Sequence, residues 1–379
     1  MAPVVKAVAA AGLEARVLAT AQHRGMLDQM MDAFRLRSHW DLDAMRPGQT
    51  LADLTGRLIP ALTGTLQASG ADAVLAQGDT TTVFCTALAA YYLGLPFGHV
   101  EAGLRSGDLR SPFPEEGMRR LTAPLAHWHF APTETARRAL LKEGVPEDRI
   151  HMVGNTVIDA LLETAARPDL ALPASIRPLE PGQRRILVTL HRRENFGEPL
   201  LRILNALRAF ALQHPSARLV YPVHPNPNVQ GPALAHLEGL PNVELVEPLD
   251  YPELVAVMRE AYLVFTDSGG IQEEAPALGK PVLVFRDVTE RPEAVEAGGV
   301  RLVGSDPDRF AVEAGRLWSD ASAYADMARP RFPYGDGHSA ARIAEILGRN
   351  LGPGLDGSAG PLRHPRVPDA RMPEPQTPR

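Results

Sequence analysis

Thr266-Asp-Ser-Gly-Gly-Ile-Gln-Glu-Glu-Ala-Pro-Ala-Leu-Gly-Lys-Pro281 is the stretch on which the fold turns. Just before it, Leu263-Val264-Phe265 is a short apolar run of strand formers, and residues 271–278 suit a helix. A strand, a tight turn and a helix N-terminus in direct succession form the repeating unit of a doubly wound sheet. Gly269 and Gly270 let the backbone approach a ligand closely, the first helical turn leaves N–H groups unpaired, and the Ser268 hydroxyl adds a donor. A phosphate is well matched to such a place. Glu273 and Glu274 follow one turn in, where one of them can accept hydrogen bonds from ribose hydroxyls. The same residues would also serve merely to close a turn, so the other motifs decide.

The chain has 379 residues, enough for two domains with sizeable cores. At 45% hydrophobic and 22% charged it has the composition of a globular protein. A formal net charge of −6 argues against a general nucleic-acid binder but leaves room for a local basic pocket. One cysteine, Cys85, rules out an intrachain disulfide and a cysteine-based metal site. No apolar run is long enough to span a bilayer, and the N-terminus lacks the order of a secretory signal, so a cytoplasmic location is expected.

Working back to the start, residues 1–12 read as the end of a helix closed by Gly12, followed by a strand at 15–20. Gln22-His23-Arg24 opens a new segment, in which Met26, Leu27, Met30, Met31 and Phe34 fall on one helical face. Arg46-Pro-Gly-Gln49-Thr50 turns into a long amphipathic helix reaching about residue 69. A buried strand at 73–76 ends in Gln77-Gly-Asp79-Thr-Thr-Thr82, where Asp79 reads either as the cap of a helix over 80–93 or as a site carboxylate. The next strand, 96–100, runs into Glu101-Ala-Gly-Leu-Arg105-Ser-Gly-Asp108-Leu-Arg110-Ser-Pro-Phe-Pro-Glu115-Glu116. Open α/β sheets place their sites on loops after strand carboxyl ends, and Pro112 and Pro114 stiffen the approach to Glu115. Glu101 and Glu115 are therefore the acid/base candidates. His127 and His129 share a strand face but have no third ligand at metal spacing, so they read as polar lining.

Pro168, Pro173, Pro178 and Pro181 mark a linker, after which the pattern restarts. A strand at 185–190 ends in His191-Arg192-Arg193-Glu194-Asn195, an imidazole and two guanidiniums that together can hold an anion. Leu219-Val-Tyr-Pro-Val223 ends in the rigid polar turn His224-Pro-Asn-Pro-Asn228, and further βα units lead through the opening motif to helices near 308–318 and 338–347. The expected division is a first Rossmann-like domain over 1–165 carrying the carboxylates and a second over 166–335 binding the nucleotide. A C-terminal helix at 336–350 would pack back on the first domain, and a disordered tail would follow at 351–379. Two α/β domains with polar loops at their strand ends imply a ligand held in a cleft between them.

Taken together, Gly78-Asp-Thr-Thr-Thr82, His99-Val-Glu-Ala-Gly-Leu-Arg105, Pro112-Phe-Pro-Glu-Glu116, Gly154-Asn-Thr156, His191-Arg-Arg-Glu-Asn195, Tyr221-Pro-Val-His-Pro-Asn-Pro-Asn228, Thr266-Asp-Ser-Gly-Gly-Ile-Gln-Glu-Glu-Ala275 and Arg286-Asp-Val-Thr-Glu-Arg-Pro-Glu293 resemble the bacterial non-hydrolysing UDP-N-acetylglucosamine 2-epimerases. The resemblance runs to about residue 349. It implies an α/β fold of two doubly wound domains, glycosyltransferase-B-like, a homodimer, and reversible conversion of UDP-N-acetylglucosamine to UDP-N-acetylmannosamine without metal or nicotinamide. It further implies that Asp79, Glu101, Glu115 and His191 act in catalysis, and that Ser268, Gly269, Gly270, Glu274 and Arg192 hold UDP. A second UDP-N-acetylglucosamine, as activator, would meet Gln22, His23, Gln49 and His224, with Arg192 nearby. The product of such enzymes feeds cell-surface polysaccharide synthesis.

Two departures are visible. Relatives open with a strand and a Gly-Thr-Arg-Pro-Glu loop ahead of the helix that this chain enters at Met1, so the first domain is expected to lack a strand from the middle of its sheet. That expectation includes low stability or activity for the chain as written and a reading-frame start assigned too late. Leu190, just before His191, is bulkier than the small residue expected there. Competing readings are a glycosyltransferase of the same fold, which would need an acceptor; a hydrolysing epimerase, which would release free N-acetylmannosamine; and an inactive nucleotide-sugar sensor, which would leave the C2 hydrogen unexchanged.

Overall fold

The computed structural model describes residues 1–20 and 24–351. Two compact units emerge, one from Met1–Thr156 with the helix Ser339–Leu351, the other from Val157–Gly337. In the first unit the strands are β1 (Leu18–Ala19), β2 (Trp40–Asp41), β3 (Val74–Gln77), β4 (Phe97–Val100), β5 (Trp128–Ala131) and β6 (Ile150–Met152). All pair in parallel, but in two separate sheets: β1 with β2, and β3-β4-β5-β6 in that order. The strand expected at 15–20 is thus reduced to two residues, and β2 is not foreseen because two residues carry no readable alternation. Strands β4 and β5 are buried throughout, as parallel strands covered on both faces must be, whereas only Val74 of β3 is buried.

Helix Leu51–Ser69 shows how local sequence and packing agree. Thr50 and Asp53 form a reciprocal capping box, and Gly70 ends the helix in the left-handed region at φ 65°. Leu54, Leu58, Leu62 and Leu66 fall on one stripe and are buried against Val83 and Ala87 of the helix Thr81–Tyr92. The last described helix, Ser339–Leu351, buries Ile343, Ala344 and Leu347 with Val4 and Val8 of the helix Ala2–Ala10 and with Trp128 and Phe130 of β5. Its apolar face explains why it belongs with the first unit, although it comes after the second in sequence.

In the second unit the strands are β7 (Arg184–Thr189), β8 (Ala217–Pro222), β9 (Val243–Val246), β10 (Leu263–Thr266), β11 (Val282–Val284) and β12 (Val300–Leu302). They form one parallel sheet in the order β12-β11-β10-β7-β8-β9. The chain winds outward from β7 to β9 and then returns to β10 on the other side of β7, so the switch point lies between β7 and β10. Their register pairs Thr189 with Thr266, which puts the loops beginning at His191 and Asp267 side by side. Alternate residues feed opposite faces: Ile186, Val188, Leu263 and Phe265 enter one core, Leu187 and Val264 the other. Leu190 is buried in the first of these cores, which accommodates its bulk.

One boundary differs from the expectation. The sequence places residues 156–165 at the end of the first domain, but Ile158 and Leu161 of the helix Thr156–Ala165 pack with Leu187 and Val264 of the second sheet. The division therefore falls at Thr156, because the helix buries its apolar face in the second unit's core. The helix Glu115–Thr122 is likewise not foreseen, since its sequence is polar nearly throughout and what it buries is Glu116 and Thr122.

Candidate active site

The loops at the carboxyl ends of β3 and β4 carry the first unit's carboxylates. Asp79 does not cap the helix Thr81–Tyr92; Thr80 does, accepting from Val83 N. Asp79 instead takes both Nε and Nη2 of Arg119 on one oxygen, at 3.0 and 2.7 Å. The turn that carries it is pinned to β4 twice. Gly78 N donates to the Val100 carbonyl, and His99 Nε2 lies 2.7 Å from the Gly78 carbonyl, which obliges that nitrogen to be the donor. Gln77, ending β3, donates to Glu101 Oε2 at 3.2 Å. Glu101 itself adopts φ 65°, a left-handed conformation that costs a non-glycine residue on the order of 1 kcal/mol and that clusters at functional sites. Two residues on, Gly103 tolerates no side chain, since a Cβ there would stand 2.4 Å from the Ala136 carbonyl.

Glu115 and Glu116 open one helix but are used differently. Glu116 is fully buried and accepts from Ser106 N, Gly107 N, Arg119 Nη1 and Arg120 Nε, at 3.0, 3.3, 3.1 and 3.2 Å. Burial alone would raise its pKa, but the two backbone donors and Arg119 outweigh that and hold it below the usual carboxylate value. Glu115 Oε2, by contrast, is buried with no hydrogen-bond partner among the described residues. Sequence reasoning does not find Glu116 as the residue that closes the loop onto the helix; the arginines three and four residues on are the available signal.

His99 and His129 face each other in register on β4 and β5 and are almost wholly buried. Burial pushes their pKa values down, to about 4 for His99 and about 3 for His129. Both are neutral in the native state at pH 7, and each Nδ1 lacks a partner among the described residues. Because the unfolded chain would bind protons near the ordinary value of 6.5, their contribution to stability is complete above that pH. It is lost as the pH falls from 6.5 toward about 4 for His99 and toward about 3 for His129. A urea midpoint that falls steeply between about pH 6 and about pH 4, and less steeply in His129→Phe, is the expected result.

In the second unit Asp267, fully buried at the end of β10, organises the neighbouring loop. It accepts from His191 N at 3.0 and 3.1 Å, from Arg192 N at 3.0 Å and from Asn195 Nδ2 at 3.0 Å. Asp267 belongs to the motif at 266–281, but its role is not legible there, because its partners lie far back in the chain. His191 Nδ1 is 3.5 Å from Asp267 Oδ1, and its ring stacks on His224 at 6.1 Å between centroids. Burial lowers the His191 pKa, assisted by Arg192 and His224 and opposed by Asp267, so the imidazole is neutral at pH 7.

Helix Gly269–Ala277 begins beside this loop, with Ser268 as its N-cap residue and the Ser268 hydroxyl unused by the cap. A Cβ on Gly269 would stand 3.1 Å from Arg192 Nη2 and 3.0 Å from Glu290 Oε1, so this glycine brings backbone N–H and guanidinium together. Glu290 accepts from Arg192 and Arg286. The two glutamates one turn in have separate partners: Glu273 is ion-paired with Arg291, and Glu274 Oε2 accepts from Tyr251 Oη at 2.9 Å. Thr289 donates to Gln272 and so holds the 286–291 loop against this helix.

Of the remaining candidates, Gln49 closes its own turn, accepting from Arg46 N at 3.1 Å. Gln22 and His23 lie outside the described residues. No group of three or more His, Cys, Asp or Glu among the described residues is arranged to hold a metal, and no described helix is long and apolar enough to cross a membrane.

Residues 6–348 match the family model described as UDP-N-acetylglucosamine 2-epimerase. A probable UDP-N-acetylglucosamine 2-epimerase of Ralstonia solanacearum is 53% identical over 354 residues, 92% of this chain and 94% of the relative. The UDP-N-acetylglucosamine 2-epimerase of Escherichia coli K12 is 50% identical over 359 residues, 92% of this chain and 95% of that protein. Among solved structures, the Neisseria meningitidis UDP-GlcNAc 2-epimerase bound to UDP-GlcNAc superposes with a TM-score of 0.86 at 43% identity, covering 92% of this chain and 96% of the other. With loops of this composition at the strand ends of two parallel α/β units, and with similarity along nearly its whole length, this chain belongs to the UDP-N-acetylglucosamine 2-epimerase family.

Proposed function

We propose that the protein interconverts UDP-N-acetylglucosamine and UDP-N-acetylmannosamine by elimination and re-addition of UDP. The observation that carries this reading is the glycine-led helix N-terminus at Gly269 and Gly270, with Arg192 beside it and Glu274 one turn in. Backbone N–H groups, the Ser268 hydroxyl and Arg192 would take the diphosphate, and Glu274 the ribose. The Neisseria relative binds UDP-GlcNAc, and the same ligand is proposed here.

The C2 hydrogen is not adjacent to a carbonyl and resists direct abstraction. Cleavage of the C1–O bond, with its electron pair leaving on the diphosphate, builds positive charge at C1 and acidifies C2. Loss of the C2 proton to a carboxylate then forms the C1–C2 double bond of 2-acetamidoglucal. Re-addition of UDP at C1, with a proton delivered to the opposite face of C2, gives the epimer. Elimination and re-addition each proceed without hydride transfer, so this route calls for no hydride carrier. His191 would stabilise the leaving diphosphate by donating a hydrogen bond, and Asp79, Glu101 and Glu115 would steady the cationic transition state and exchange the proton. Two faces require two acid/base groups, which clustered carboxylates can supply.

A homodimer, a cytoplasmic location, a place in surface polysaccharide synthesis, and activation by a second UDP-N-acetylglucosamine at Gln22, His23, Gln49 and His224 complete the proposal. Proton NMR of UDP-N-acetylglucosamine with the protein in heavy water tests its centre. Deuterium at C2 together with UDP-N-acetylmannosamine signals is expected. Free N-acetylmannosamine would indicate a hydrolysing enzyme instead, and binding without exchange a sensor. Turnover appearing only with an acceptor would indicate a glycosyltransferase.

A further inference from the structure

We infer that Tyr251 is a positioning residue of the nucleotide site, its hydroxyl holding one oxygen of Glu274 so that the other is presented to the ribose diol. The inference rests on the nucleotide site proposed above and adds a residue and a proton linkage to it.

Tyr251 opens the helix Tyr251–Glu260, which Asp250 and Glu253 anchor through a capping box, so the phenol projects from a fixed backbone. Its Oη donates to Glu274 Oε2 at 2.9 Å. The other oxygen, Oε1, lies 3.6 Å from where a Cβ on Gly270 would stand, and Gly270 is exposed at the head of its helix. The two carboxylate oxygens thus have different tasks: one is tied to the neighbouring helix, the other is directed to the face where the first helical turn is accessible. A carboxylate held by a single donor at one oxygen remains an acceptor at the other.

The charges around the pair give this arrangement a pH dependence. Glu274 faces Tyr251 on the neighbouring helix and Glu273 on its own, the latter paired with Arg291; Arg167 acts on Tyr251, and Glu293 and Glu273 act on Tyr334, whose hydroxyl donates to Glu293. Burial pushes the Glu274 pKa up to about 7, with Tyr251 pulling it down and Glu273 adding to the rise. Burial and the Glu274 charge push the Tyr251 pKa far above its ordinary value, so the phenol stays a donor. Protonation of Glu274 would turn one of its two acceptor oxygens into a donor, so ribose recognition should strengthen as the pH rises through about 7. Without the Tyr251 hydroxyl the midpoint should move upward.

Calorimetric titration of the full chain with UDP and with 2′,3′-dideoxy-UDP, from about pH 6 to about pH 8.5, tests this. The ratio of the two affinities isolates the ribose from the phosphates. The wild-type protein should prefer UDP by at least about tenfold at the upper pH, as expected for a hydrogen bond to a charged group, and by less at the lower. Tyr251→Phe should reduce that preference several-fold at neutral pH, shift its midpoint upward and leave dideoxy-UDP affinity unchanged. Glu274→Gln should remove the pH dependence of the preference and serves as the second variant should Tyr251→Phe fold poorly. Equal weakening of both ligands in Tyr251→Phe, or an unchanged preference and midpoint, would overturn the positioning role. So would a wild-type protein that binds both ligands equally, although the nucleotide site would stand. Absence of UDP binding in the wild type would remove the nucleotide site itself.

Discussion

Glu115→Gln is expected to lower turnover by about two to four orders of magnitude, the usual effect of removing a general acid or base. The expectation rests on how the first unit uses its carboxylates. Glu116 is saturated by four donors, and Asp79 gives one oxygen to Arg119. Glu115 sits beside them at the head of the same helix with a buried oxygen that no donor among the described residues satisfies. A buried polar atom left without a partner costs stability, typically about 1–3 kcal/mol, and its retention in a folded protein points to a catalytic role or a ligand. Glutamine preserves volume but cannot carry the proton. UDP affinity and melting temperature should therefore be almost unchanged, while deuterium entry at C2 slows in step with product formation. A loss of less than about threefold would show that Glu115 is not the acid or base of the reaction. Glu116→Gln should behave oppositely, lowering the melting temperature, because one acceptor oxygen becomes an NH2 and strands one of the Ser106 and Gly107 N–H groups together with the arginine that shares that oxygen.

Asp267→Ala should be the most damaging single change in the second unit. Three donors from the His191–Asn195 segment converge on a carboxylate with no exposure, and alanine would leave the His191 and Arg192 N–H groups and the Asn195 amide without it. Asn195 keeps only its second bond, to the Phe285 carbonyl. Breaking a buried charged network in this way costs about 3–5 kcal/mol, and the urea midpoint should fall accordingly. The same loop carries Arg192 to the helix N-terminus at Gly269, so UDP affinity should drop by more than about tenfold at temperatures where the variant is still folded. Asp267→Asn, which keeps the shape and one acceptor, should retain part of both. Unaltered stability in Asp267→Ala would mean that the loop is held by its other contacts.

The two changes show which parts of this protein can be read along the chain. Strand, turn and helix succeed one another in sequence, so the parallel α/β class, the glycine-led helix at Gly269 and the carboxylate-rich loop after β4 were legible from periodicity and turn chemistry alone. The family was legible for the same reason, since its motifs are short and consecutive. What the tertiary structure decided was the partner of each charge. Whether Asp79 caps a helix or meets an arginine depends on Arg119, supplied by a different element. Which of Glu115 and Glu116 is consumed by the fold depends on the backbone of Ser106 and Gly107, and Glu273 and Glu274 are told apart by Arg291, which pairs with the first, and Tyr251, which donates to the second. The helix Thr156–Ala165 changes unit because only the packed sheet reveals which core its Ile158 and Leu161 enter. Backbone geometry is governed by near neighbours in the chain and can be read there. The state of a buried charge is governed by whatever the fold brings within about 3 Å of it, and adjacent residues of identical type are told apart only once those neighbours are in place.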